Sequence, residues 1–304
     1  MAVDRKLKPV DIVLAVDGSE HSYAAARLVG DLALPEGSTI AVLAVMMPRD
    51  ASNHAALQSV LDEAEKLLRG KAARVSTQLL TGYPAEQISE YAEKNPPDLI
   101  VLGAKGRRAT LGILLGGVVQ QIVEYANDPV LVVRAPYHGL RKAVVITDGS
   151  EHSQKAIRYL CRLPLPANCE VRAVHVLPPL PSPAFVTRSW PVGSEAMAPV
   201  PTFETEQLLT RQAEEEERQG RLLLERAVKM LADEGLEATS ALLRGDAASE
   251  IIQYVTAHQI DLIVAGSRGL SQMKRLLLGS LSRKLVHYAS CSVLIVKGAP
   301  HVRD

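Results

Sequence analysis

Residues 261–297 read Asp261-Leu-Ile-Val-Ala-Gly266-Ser-Arg-Gly269-Leu-Ser-Gln-Met-Lys-Arg-Leu-Leu-Leu-Gly279-Ser280-Leu-Ser-Arg-Lys-Leu-Val-His-Tyr-Ala-Ser-Cys-Ser-Val-Leu-Ile-Val296-Lys297, and this stretch decides the fold. Its first apolar run, 262–265, stops at Gly266 and Gly269, as a buried parallel strand stops in a loop. A basic loop with Arg268, Lys274 and Arg275 follows, then Gly279 and Ser280, then a helical pattern with Leu281 and Leu285 on one face. The Ser280 hydroxyl is expected to cap that helix by accepting a bond from a free N–H of the first turn. A second apolar run, 293–296, closes the unit. Two glycines after a strand and a Gly-Ser pair at a helix start leave bare N–H groups on both sides of one crevice, which suits a phosphate.

The chain contains this unit twice. The six residues Asp17-Gly-Ser-Glu-His-Ser22 return unchanged from Asp148, 131 positions on, whereas Asp98-Leu-Ile-Val-Leu-Gly103 returns as Asp261-Leu-Ile-Val-Ala-Gly266, 163 positions on. The second copy therefore holds 32 extra residues, around 177–207. Prolines crowd 178–201, which predicts a loop without regular structure, a candidate lid or partner-docking segment. A charged helix is expected from about 204 to 233, with Glu214 to Glu217 on a solvated face.

In the first copy apolar runs predict strands at 12–16, 40–45, 75–80, 99–102 and 130–133, with helices at 21–32, 53–71, 85–94 and 118–125 between them. Strands alternating with helices, with no hairpin signal, imply an α/β fold of two repeated, doubly wound, five-stranded parallel sheets. The breaker-rich Ala135-Pro-Tyr-His-Gly139 marks the joint, giving domains 1–138 and 139–304.

The spacing Gly-x2-Gly-x9-Gly-Ser, formed by Gly266, Gly269, Gly279 and Ser280, resembles the nucleotide-binding pattern of the universal stress protein family, and the resemblance covers nearly the whole chain as two tandem copies. It implies a Rossmann-like, adenine nucleotide alpha hydrolase-like sheet in the order 3-2-1-4-5, with ATP, with or without Mg, bound at the reversal between strands 1 and 4. It places the glycines on phosphate and ribose, Thr147 and Asp148 beside the nucleoside, and the backbone of Val174, His175 and Val176 at adenine. Ser280, Leu281 and Ser282 then form the phosphate-binding helix start; apart from the resemblance, Arg268, fixed between two loop glycines, is the expected further phosphate partner. The first copy keeps Asp17, Val45, Gly103, Gly106 and Gly116, but Gly117 and Val119 replace Ser280 and Ser282. Each missing hydrogen bond to a charged phosphate costs about 1.5–3 kcal/mol, so binding is expected chiefly in the second domain.

Composition narrows the classes. The 34 basic and 34 acidic side chains cancel, and two Phe and one Trp leave little for base stacking, so neither nucleic acid nor an anionic membrane is an expected partner. The three cysteines, Cys161, Cys169 and Cys291, lack a metal-ligand spacing and read as buried thiols of a cytoplasmic protein. P-loop, dinucleotide, zincin and nucleophile-elbow signatures are missing from the sequence. The reading is therefore an ATP-dependent stress sensor or switch acting on an unidentified protein partner. Its rivals are a slow Mg-dependent ATPase or phosphotransferase and an interaction module without nucleotide. The last strands, 130–133 and 293–296, are expected to pair as an intramolecular pseudo-dimer with its axis between Val132 and Ile295. A homodimer would then use another surface.

Overall fold

The computed structural model describes residues 7–48, 54–71, 73–107, 114–180, 203–269 and 278–297. Most of the proline-rich insertion, the basic loop with Lys274 and Arg275, and Asn53 at the start of the second expected helix lie outside the described residues. The first repeat runs β1 (Asp11–Ala15), α1 (Glu20–Asp31), β2 (Ser38–Met46), α2 (His54–Leu68), β3 (Ala73–Thr81), α3 (Pro84–Lys94), β4 (Leu99–Gly103), α4 (Gly117–Tyr125), β5 (Val130–Val133). The second runs β6 (Lys142–Ile146), α5 (Glu151–Arg162), β7 (Glu170–Leu177), α6 (Phe203–Asp233), β8 (Ala238–Arg244), α7 (Ala247–Ala257), β9 (Leu262–Gly266), α8 (Ser280–Tyr288), β10 (Ser292–Val296).

Local chemistry starts these helices. Ser19 and Ser150, from the repeated hexapeptide, cap α1 and α5 by accepting from the N–H groups of Ser22 and Ser153 at 3.1 and 3.2 Å. Pro84 opens α3, where a missing N–H costs nothing. Strands buried on both faces, such as β4, β5, β9 and β10, are unbroken apolar runs, whereas the edge strand β3 alternates.

The strands form one ten-stranded sheet in the order β3-β2-β1-β4-β5-β10-β9-β6-β7-β8. Each half is parallel in the order 3-2-1-4-5, and the halves join where β5 and β10 pair antiparallel. The register corrects the expected axis. Val132 pairs with Val293, Ile295 with Val130, and Leu131 with Leu294. Leu131 and Leu294 are equivalent in the two repeats, so the pseudo-two-fold axis passes through that pair and not between Val132 and Ile295. The pairing hides from solvent two strand edges that would otherwise invite aggregation.

One apolar core lies on each face of the sheet, and both run across the seam: Leu14, Leu131, Val145 and Leu294 on one face, Ile100, Val132, Ile263 and Val293 on the other. Polar bonds also cross the seam, from the Tyr159 hydroxyl to the Asp98 carbonyl at 2.8 Å and from the Ala33 N–H to the Pro164 carbonyl at 2.9 Å.

Candidate functional site

In each half the chain leaves the first strand in one direction and the fourth in the other, so the carboxyl ends of β1 and β4 open a crevice. Asp17 follows β1 and clamps the opposite loop. Its Oδ1 accepts from the Ser19 N–H at 3.0 Å and its Oδ2 from the Arg107 N–H at 2.9 Å, while the Ser19 hydroxyl donates to the Lys105 carbonyl at 3.0 Å. Gly106 makes this approach possible, because a Cβ there would lie 2.7 Å from Asp17 Oδ2. Gly103 has a packing role: its Cβ would lie 2.5 Å from the His21 carbonyl carbon, where α1 crosses β4. Gly116 caps α4 without a side chain, and at Gly117 a Cβ would meet nothing within 4 Å.

Asp17, Val45, Gly103, Gly106, Gly116 and Gly117 all line one cavity of about 540 Å³. Its lining combines the apolar Leu43, Val45, Leu57 and Ile88 with the charged Asp17, Lys105 and Arg107 and the N-terminus of α4. That volume lies within the usual range for small-molecule sites, roughly 300–1,000 Å³. Apolar walls together with two cations and free helix-start N–H groups suit a ligand with a flat apolar group and an anionic tail. Leu57, Pro84, Ile88 and Leu115 were not singled out by the sequence. Leu57 and Ile88 belong to ordinary amphipathic stripes of α2 and α3, Pro84 opens α3 and Leu115 precedes α4, and only the packing of these elements shows that they face a cavity.

The second repeat has the same frame. Asp148 Oδ1 accepts from the Ser150 N–H at 3.0 Å, and Cβ atoms at Gly269 and Gly266 would lie 2.6 Å from Asp148 Oδ2 and from the His152 carbonyl oxygen. The Thr147 N–H bonds the Val174 carbonyl at 2.9 Å, tying β6 to β7 behind Asp148. Val174 is buried and Val176 half-buried; their first-repeat equivalents, Leu43 and Val45, line the cavity. The His175 side chain points to the other face, as strand alternation requires. Its Nδ1 lies 2.8 Å from the Thr147 carbonyl, and Gly220 of α6 gives its ring room.

The helix start departs from expectation. Gly279, not Ser280, is the N-cap of α8, and no side chain caps it. Helical geometry begins one residue early, because the Gly279 N–H is already held by the Ser267 carbonyl at 2.7 Å. The exposed Ser280 hydroxyl therefore caps nothing, while the buried Ser282 hydroxyl donates to the Gly266 carbonyl at 2.7 Å. Leu281 is half-buried, like its equivalent Val118, which lines the first cavity. The half-buried Arg268 backs onto Gly279, whose Cβ would lie 3.3 Å from the Arg268 Cα, and its enclosed Nε has no partner among the described residues. Arg268 also helps to hold the His152 imidazole below its usual range, after burial and Lys155. Among the described residues no cluster of His, Cys, Asp or Glu could hold a metal, and no helix is long and apolar enough to cross a membrane.

The universal stress protein family model matches residues 11–134 and 139–297. Universal stress protein YxiE of Bacillus subtilis is 33% identical over 156 residues, which cover 51% of this chain and 98% of YxiE. Universal stress protein Slr1230 of Synechocystis is 24% identical over 245 residues, 80% of this chain and 72% of Slr1230. The crystal structure of a universal stress protein from Archaeoglobus fulgidus superposes with a TM-score of 0.62 at 20% identity, covering 94% of this chain and 98% of that one.

Proposed function

This chain belongs to the universal stress protein family, and from that premise we propose that it binds ATP as a nucleotide-dependent switch. One observation carries the reading: the six residues expected to form a nucleotide site, drawn from distant parts of the first repeat, all line one cavity that combines apolar walls with Lys105 and Arg107. The adenine is read against Leu43 and Val45, and the phosphates at the start of α4. In the second repeat they meet the start of α8, where Ser280 adds a hydroxyl. That repeat is read as the tighter site, by the one hydroxyl still open to a phosphate. Magnesium, where present, would arrive on the phosphates. The nucleotide is read as held rather than hydrolysed, since no general base is evident in the sequence.

The test is calorimetry of the full chain with ATP, beside Gly279→Val and Gly116→Val. Two unequal sites are expected. Gly279→Val should remove the tighter one and Gly116→Val the weaker, each folded by circular dichroism. ATP binding unchanged in both variants would overturn the assignment.

A further inference from the structure

The β5–β10 seam creates two corners related by the pseudo-two-fold axis, and they differ in charge. At the first corner a cavity of about 390 Å³ opens between the repeats. His21, Lys105 and Arg134 line it from the first repeat, and His287 to Ser290, at the end of α8, from the second. No acidic side chain is among the described residues lining it. Arg134 reaches across the seam: Nη2 donates to the carbonyls of Val286 and His287 at 2.7 and 3.0 Å, and Nη1 to Leu114 at 3.2 Å. Its Nε is enclosed with no partner among the described residues. Both histidines are held below their usual range. Burial is the largest cause for each; Lys105 and Arg134 add to it at His21, opposed by a backbone hydrogen bond at Val133 and then by Glu20, and Arg134 and Arg283 add to it at His287.

The second corner has its own counter-charge. Lys297 replaces Arg134 and donates to the Ala126 carbonyl at 2.8 Å. Glu124, at the position equivalent to His287, accepts from Arg283 at 3.1 Å. One corner thus carries a carboxylate among its cations, and the other a second imidazole.

We propose that the first corner is an anion site, separate from the cleft between β1 and β4, which takes a phosphate group between Lys105, His21 and His287. Cations facing one cavity without a carboxylate favour an anion from solution; the His21 Nδ1 already accepts from the Ala135 N–H at 2.9 Å, which leaves its Nε2, with the His287 imidazole, to donate to an arriving dianion. Lys105 lines both cavities. The phosphate is therefore either a free inorganic anion or the tail of a nucleotide held next door.

The test uses the full chain. Pyrophosphate and orthophosphate are titrated at low salt by calorimetry, against wild type and His287→Glu, which places here the acid found at the other corner. Saturable binding by wild type, weakened roughly tenfold or more in His287→Glu, is expected. Adenosine, which has no phosphate, reports separately on the nucleotide reading and should bind both proteins alike. If ATP loses affinity in the variant with adenosine unchanged, the nucleotide tail is the source; if ATP is unchanged while pyrophosphate is lost, it is a free anion. A second readout needs no variant: the imidazole pKa values of His21 and His287, followed by NMR in wild type, should rise on saturation with phosphate. No saturable binding, binding that His287→Glu leaves intact, or histidines that do not move would each overturn the site.

Discussion

The two repeats share a frame but differ at the start of the phosphate-facing helix. In the first, Gly117 and Val119 open α4 with backbone alone, and the cavity beside it is walled by Leu43, Val45 and Leu57. In the second, Ser280 and Ser282 open α8, but they are not equivalent. Ser282 is drawn into the fold by the Gly266 carbonyl, and Ser280 stays in solvent. The second repeat therefore exceeds the first by one free hydroxyl rather than two. Two serines on one turn can divide between holding the protein and meeting a ligand, and helix phase decides which does which.

That comparison breaks most sharply at the glycines both repeats share. Gly103→Ala and Gly266→Ala should each destabilise the chain by about 1–3 kcal/mol, because the new Cβ would press on the backbone of α1 or α5. Urea denaturation measures this. If either is tolerated without loss, helix and strand are not held as close as the geometry indicates.

The next effect separates the two serines. Ser280→Gly should weaken ATP binding at the second site roughly tenfold and leave stability nearly unchanged. Ser282→Val should cost about 1 kcal/mol of stability and spare the affinity. Paired calorimetry and denaturation read both, and an affinity loss in Ser282→Val would reverse the assignment.

A gain tests the first repeat. Nothing lies within 4 Å of a Cβ at Gly117, so Gly117→Ser should fold normally and strengthen the weaker ATP site by roughly three- to tenfold. No gain would mean that the phosphate does not approach the start of α4.

The smallest effect concerns the seam. Burial pulls the Lys297 ammonium down to about 8, opposed by Glu124 and Asp128. Between pH 8 and its usual value of 10.5 the unfolded chain holds this proton and the folded chain does not, so stability should rise with pH across that window. Cys169 and Cys291, both pushed up to about 12 by burial, pull the other way as pH rises above the ordinary thiol value. The quantity to measure is therefore wild type minus Lys297→Met. That difference should climb from pH 8 to pH 10, whereas a flat difference would mean that Lys297 keeps its proton as an ordinary lysine does.

Much of the fold was legible because its chemistry is local. Strands such as β4 and β9 are buried on both faces and must be apolar throughout, so they stand out as short runs that end in glycine. The hexapeptide starting at Asp17 and Asp148 contains a turn and a helix cap together. The apolar wall of the first cavity was not legible. Leu57 and Ile88 reach it from helices that any amphipathic pattern would describe equally well, and their facing depends on how α2 and α3 settle on the sheet.

By itself the sequence determined the duplication, the order of strands and helices, the place of the insertion and the residues at the ends of β1 and β4. These follow from hydrophobic period, turn chemistry and spacing, which act between near neighbours. Tertiary structure alone decided that the axis runs through Leu131 and Leu294, that Ser282 serves the fold while Ser280 faces solvent, and that His287 and Glu124 give the two seam corners different charge. Each of these depends on which groups meet across the sheet or at a helix end. A shift of one residue in helix phase, or of one pair in strand register, changes those partners while leaving the local pattern as it was.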